Sequence, residues 1–133
     1  MLADPMPATL RILLAIAAGS AAGGVLRYLI AHGLQHATGV GFPLGTLVVN
    51  VLGCFAIGVM AALLTGERQL SDAVELGLFV GVLGGFTTFS SFGRETVDLF
   101  LHGRTLAAIS YILLSNGLGL VAVFAGLRLA ARA

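Results

Sequence analysis

Apolar residues fall in four long, nearly unbroken stretches, over about 10–31, 44–64, 74–101 and 106–130, separated by short polar or glycine-bearing joins. Each is near or beyond the roughly 20 residues that an α-helix needs to cross a hydrocarbon core. The pattern therefore predicts four transmembrane helices and no soluble domain, with residues 1–133 forming a single membrane unit. The joins are too short to hold a site of their own: one carries Gly33, Gly39, Gly41 and Pro43, another Glu67, Arg68 and Asp72, and the last is the turn His102-Gly103-Arg104-Thr105. Arg11 ahead of an apolar run, with Gly19-Ser20-Ala21-Ala22 after it, has the outline of a signal peptide. The apolar character continues from Val25 to Ile30, so this stretch is read as a retained helix.

The third stretch breaks the pattern. Residues 84–92 read Gly-Gly-Phe-Thr-Thr-Phe-Ser-Ser-Phe, a glycine-led polar run at mid-membrane depth. Glycine lowers helix preference there, and Thr87, Thr88, Ser90 and Ser91 offer side-chain bonds that compete with the helix, so the run predicts an unwound segment. Unpaired backbone in lipid is costly, so such a break occurs where protein or an aqueous path supplies partners, and it points to an ion or substrate site. Carbonyls freed by unwinding are hard oxygen ligands suited to a cation such as sodium. Two such breaks meeting on a dimer axis would supply a set of them.

Composition agrees with the membrane assignment: 58% of residues are hydrophobic and 10% charged, with a mean hydropathy of +1.03, against about a quarter charged residues in soluble domains. The seven basic residues are all arginine. Arg11, Arg68, Arg128 and Arg132 fall on the side of both termini and Arg27, Arg94 and Arg104 toward the other, which leaves orientation open and is compatible with insertion both ways round. The lone Cys54 excludes an internal disulfide and a multi-cysteine metal site, and it reads as a small packing residue. An enzyme is not expected, because His32, His36 and His102 lie in joins without a nucleophile or a metal-ligand set.

Small residues recur at four-residue spacing, at Gly19 and Gly23, at Gly77, Gly81 and Gly85, and at Ser115 and Gly119, a spacing that lets helix backbones approach closely in lipid. Four helices of this size enclose little interior, so a homo-oligomer is expected, with a two-fold dimer as the commonest closed assembly. Polar positions inside the spans are costly and face an interior or a pathway. Thr46 and Asn50 share a face of the second helix and Tyr111 and Ser115 a face of the fourth, with Asn116 alongside, so that hydroxyl and amide donors are presented without full charge. Such a lining suits a small desolvated anion. Thr46 and Ser115 can also bond back to their own helix, whereas the Asn50 amide needs another helix or a permeant species. Phe89 and Phe92, three apart, share a helical face, where ring edges favour an anion; packing is the competing role.

The run at 84–92, together with Leu44-Gly45-Thr46-Leu47-Val48-Val49-Asn50 and Gly24-Val25-Leu26-Arg27-Tyr28, resembles the Fluc (CrcB) fluoride channels over nearly the whole chain. The resemblance implies an all-α integral membrane protein of four transmembrane helices with a break in the third, assembled as an antiparallel, dual-topology homodimer in the bacterial inner membrane. It implies passive export of toxic fluoride down its gradient, and a structural sodium ion at the dimer centre held by the backbone carbonyls of Gly84 and Thr87. On the same ground Phe89, Phe92, Asn50, Thr46, Tyr111 and Ser115 are expected along the fluoride pathway. Arg27 is open between a vestibule role and a structural salt bridge. The expected partners are fluoride, a second copy of the chain and the lipid bilayer, with no nucleic acid.

The chain departs from the family pattern at Gly119, where a further hydroxyl is common, and at Ser91, which replaces a common threonine. Arg94 and Asp98 are spaced to pair on a helix, and Glu95 has no assigned role. The alternative is a small proton-coupled multidrug exporter, but such exporters carry a mid-membrane carboxylate in the first helix, and there is none between Ile12 and Leu26.

Overall fold

The computed structural model describes residues 6–39, 41–64 and 70–132, all helix and connection with no strand among them; Glu67 and Arg68 lie outside the described residues. Four helical segments are long and apolar enough to span a membrane. The first is α1 (Ala8–Thr38) and the second α2 (Leu44–Leu64). The third comprises α3 (Asp72–Leu76), a π-helical stretch (Gly77–Leu83), α4 (Gly84–Phe86) and α5 (Phe89–Leu101); the fourth is α6 (Thr105–Ala130). The chain is a multi-pass membrane protein.

Helix α1 runs past the expected end at Ala31 and stops at Gly39, whose positive φ of 58° and N–H bond to Gln35 O make a left-handed cap. Gly33 alone does not end a helix; a glycine in the left-handed conformation does. The break is also narrower than the polar run suggests. Gly84 and Gly85 stay helical in α4, and only Thr87 (φ −82°, ψ 156°) and Thr88 (φ −150°, ψ 115°) are extended. Glycine tolerates the close helix contact described below, and the two threonines, with hydroxyls able to bond locally, take the irregular backbone.

The break divides the third span between two partners. Its first half, α3 through α4, packs along α1, whereas α5 packs on α6, and α2 lies along α6. Glycine makes the first contact possible: a β-carbon at Gly19 would strike the carbonyl of Gly77, one at Gly23 the carbonyl of Val82, and one at Gly85 would sit 2.6 Å from Ser20 O. The expected four-residue ladders on α1 and the third span thus interlock. Between α2 and α6 the close approach is made by Gly58 against Val123 and by Gly126 against Phe55, with Gly126 two turns beyond Gly119 on the same face of α6. A buried cluster of Leu47, Leu99, Ala108 and Tyr111 joins α2, α5 and α6, and Phe42, Val51 and Phe92 pack around it.

Gly23→Ala places a methyl group against the Val82 carbonyl and should cost about 1–3 kcal/mol, lowering the thermal midpoint of the purified protein in detergent. Gly24→Ala, next along the helix with open space around it, should leave the midpoint unchanged or slightly raised. Equal behaviour of the two variants would refute the interlock.

Candidate functional site

The extended backbone of the break is held by Asn50 from α2. Its Nδ2 donates to Thr88 O at 3.0 Å and its Oδ1 accepts from Thr88 N at 2.8 Å, a two-bond pairing that mimics a backbone partner. In an unbroken α-helix the Thr88 N–H would close onto Gly84 O, so the pairing releases the Gly84 carbonyl. Thr87 N and Oγ1 both donate to Leu83 O, each at 2.9 Å. The Thr88 hydroxyl then caps α5 by accepting from Ser91 N at 3.2 Å. The donor that the Asn50 amide requires is therefore met by another helix.

Arg27 reaches the same place from α1, with Nη1 3.5 Å from Thr87 O. It makes no salt bridge among the described residues. Gly84 O and Thr87 O are the oxygens that the family resemblance implied as sodium ligands. The release of Gly84 O from its helical donor suits that role, and the guanidinium beside Thr87 O competes with a cation for it.

Beside the break lies an open groove of about 370 Å³ whose wall includes Asn50, Cys54, Thr88, Phe89, Phe92 and Ser115. Phe89 is 81% exposed on it, and its ring centroid is 5.5 Å from that of Phe92. The two rings share a face, as their spacing requires. The Ser115 hydroxyl is buried and has no partner among the described residues, so it does not bond back to its own helix. Asn116 does, to Ile112 O. Cys54 lies on the groove wall opposite α6, where a β-carbon at Gly119 would come 3.3 Å from its sulfur; the position that a further hydroxyl commonly fills is a packing contact here.

Tyr111 and Thr46 sit deeper and are brought together by a residue with no role assigned from sequence. Thr46 Oγ1 donates to Glu95 Oε1 at 2.8 Å and Tyr111 Oη to Glu95 Oε2 at 2.7 Å. Both hydroxyls are committed to one carboxylate, and an anion arriving there competes with it. Glu95 lies one turn beyond Phe92 on α5, and an acid inside a span is itself a signal of an interior role. Arg94 and Asp98 form no ion pair among the described residues. Phe92 packs on Tyr111 with centroids 5.2 Å apart, so the groove and the Glu95 knot share a wall.

A membrane-spanning segment broken at a glycine-threonine run, clamped by an asparagine and opening on a groove lined by two phenyl rings and by a hydroxyl with no partner among the described residues, has the parts of an ion channel. The family profile described as CrcB-like protein, Camphor Resistance (CrcB), matches residues 14–127, and the chain belongs to that family. Curated relatives named fluoride-specific ion channel FluC include one from Rhizobium etli, 48% identical over 114 residues, covering 86% of this chain and 91% of the relative. One from Rhizobium meliloti is 44% identical over 117 residues (88% and 94%), and one from Roseiflexus is 47% identical over 114 residues (86% and 92%). The multidrug-exporter alternative is not favoured by these relatives.

Asn50→Ala should leave the Thr88 N–H and C=O unpaired, at about 1–3 kcal/mol for each buried group. The checks are a lower thermal midpoint and faster amide exchange at Thr88 than in wild type; unchanged exchange at Thr88 would show that the clamp does not hold the break.

Proposed function

We propose that this chain conducts fluoride passively across the bacterial inner membrane and so lowers cytoplasmic fluoride. The observation that carries this reading is the buried Ser115 hydroxyl, without a partner among the described residues, on the same groove as Phe89 and Phe92 in a chain whose relatives bear the fluoride-channel name. Fluoride is small and strongly hydrated, so a conduit must replace its water with donors while holding it weakly enough to release it. A hydroxyl donor and the electropositive edges of phenyl rings do this without a full positive charge that would trap the ion. Chloride, larger and less in need of such donors, gains less from them.

The working form is read as an antiparallel homodimer. The groove is open on one side of the protomer, with Phe89 at its rim, and a second copy laid against it would close the wall. A sodium ion at the centre of such a dimer would be held by the Gly84 and Thr87 carbonyls. When bound, it supplies fixed positive charge that ties the two breaks together. The fit rests on the Gly84 carbonyl being released by the Asn50 clamp; Arg27 must turn from Thr87 O for that carbonyl to serve. Export then needs no coupled energy source, only the gradient.

Protein reconstituted in liposomes loaded with potassium fluoride should release fluoride rapidly once a potassium ionophore is added, and chloride poorly; comparable chloride release would end the selectivity claim. Phe92→Ile and Phe89→Ile should each slow fluoride roughly fivefold, from about 1 kcal/mol of ring-edge interaction lost, with elution volume unchanged. Wild-type flux in both would leave the rings as packing groups. Exchange of sodium for a larger organic cation should weaken the dimer on size exclusion, and no change would count against the central ion.

A further inference from the structure

Phe89 and Phe92 do not end the line of rings. Phe92 packs on Tyr111 with centroids 5.2 Å apart, and Tyr111 meets Phe42 at 5.4 Å with ring planes 81° apart, an edge-to-face contact. Phe42 belongs to the short connection between α1 and α2, outside the spans, and the connection is fastened at two points. Gln35 Nε2 donates to Phe42 O at 3.3 Å, and the Arg104 guanidinium donates to Gly41 O. Four rings thus lead from the groove at the break to the end of the bundle where α6 begins.

Two cavities open at that end, and their charges differ. One, of about 340 Å³, is walled by Glu95, Asp98, His102 and Arg104. The other, of about 560 Å³, is walled by Phe42, Arg104, Thr105, Ser110 and apolar groups, and has no carboxylate in its lining. The first carries two acids against one guanidinium and disfavours an anion. The second offers one guanidinium and two hydroxyls, with the Phe42 ring between it and Tyr111. It is open to solvent, so a small anion can enter it with its hydration shell.

We infer that this second cavity is the mouth where a small anion such as fluoride exchanges with water, that Arg104 is the charge that recruits it, and that Phe42 is the fourth ring of the path. The inference rests on the conduction reading above for the identity of the anion, though not for the sign of the field in the mouth. Arg104 has a second duty as the clamp on Gly41 O, and the glutamine variant keeps an amide donor for that bond while removing the charge.

The field is measured first, without any conduction. In a Cys54→Ala background, Thr105→Cys is treated with anionic and cationic methanethiosulfonates of similar size, and each rate is divided by that for a free thiol. The anionic reagent should be favoured roughly fivefold at low ionic strength, as a unit charge within about 7 Å dictates, and the preference should fade at high salt, where screening is complete within a few ångströms. Adding Arg104→Gln should remove it and Arg104→Lys should restore it. Equal normalised rates for the two reagents overturn the inference. In the liposome assay at low ionic strength, Arg104→Gln should then slow fluoride release several-fold and Phe42→Ile should slow it at every salt concentration. Wild-type release from both variants also overturns it. Wild-type vesicles that pass no fluoride, with the thiol preference intact, would end the conduction reading and leave the anion-selective mouth standing.

Discussion

The two hydrogen bonds between Asn50 and the backbone of Thr88 are the interaction on which the rest of the molecule depends. In water an extended pair of residues costs little, because solvent pairs with the backbone. In a bilayer each unpaired group costs several kcal/mol, so the third span breaks only where a side chain with one donor and one acceptor stands opposite. Asparagine carries the donor and the acceptor on separate atoms, so it can pair with an N–H and a C=O as a backbone partner does. Its reach from α2 sets where the break falls, and the break decides which carbonyl is released, which residue caps α5 and where Phe89 emerges.

The break in turn lets one span serve two neighbours. The half before Thr87 follows α1 through interlocking glycines, and the half after Thr88 swings onto α6. Neither contact could be made by a straight helix. The groove lies at that change of direction, walled by α2, α6 and both halves of the third span. Gly53 belongs to the same arrangement, since a β-carbon there would strike the methyl group of Thr87. Close backbone approach and an open groove are two outcomes of the same change of direction.

Charge is kept away from the groove and held at its ends. Arg27 stands by the break and Arg104 by the turn before α6, while the Glu95 carboxylate has both oxygens occupied by hydroxyl donors. The wall of the groove itself is lined by side chains without full charge. Full charge deep in a low-dielectric wall would either bind an ion too tightly or repel it, since Coulomb energies grow as the dielectric constant falls. The same arrangement makes Thr46 and Tyr111 less like free donors than their spacing suggested.

The spans, their order and the presence of a break were legible in the sequence, because each follows from local chemistry: apolar length for the spans, and glycine with hydroxyl residues for the break. The expected helix limits of the second span agree with α2, and the first helix runs on past Ala31 to its left-handed glycine cap at Gly39. The pairing of Phe89 with Phe92 was legible too, since three residues of helix bring side chains to one face. What only the tertiary structure decided was partnership. Asn50 could have faced an ion or a helix, and it faces Thr88; Ser115 could have bonded its own helix, and it does not; Glu95 had no role until Thr46 and Tyr111 met it from two other helices. Spacing along one helix fixes which side chains share a face, but which groups meet across helices depends on the close approach of separate backbones, and no single segment encodes that distance.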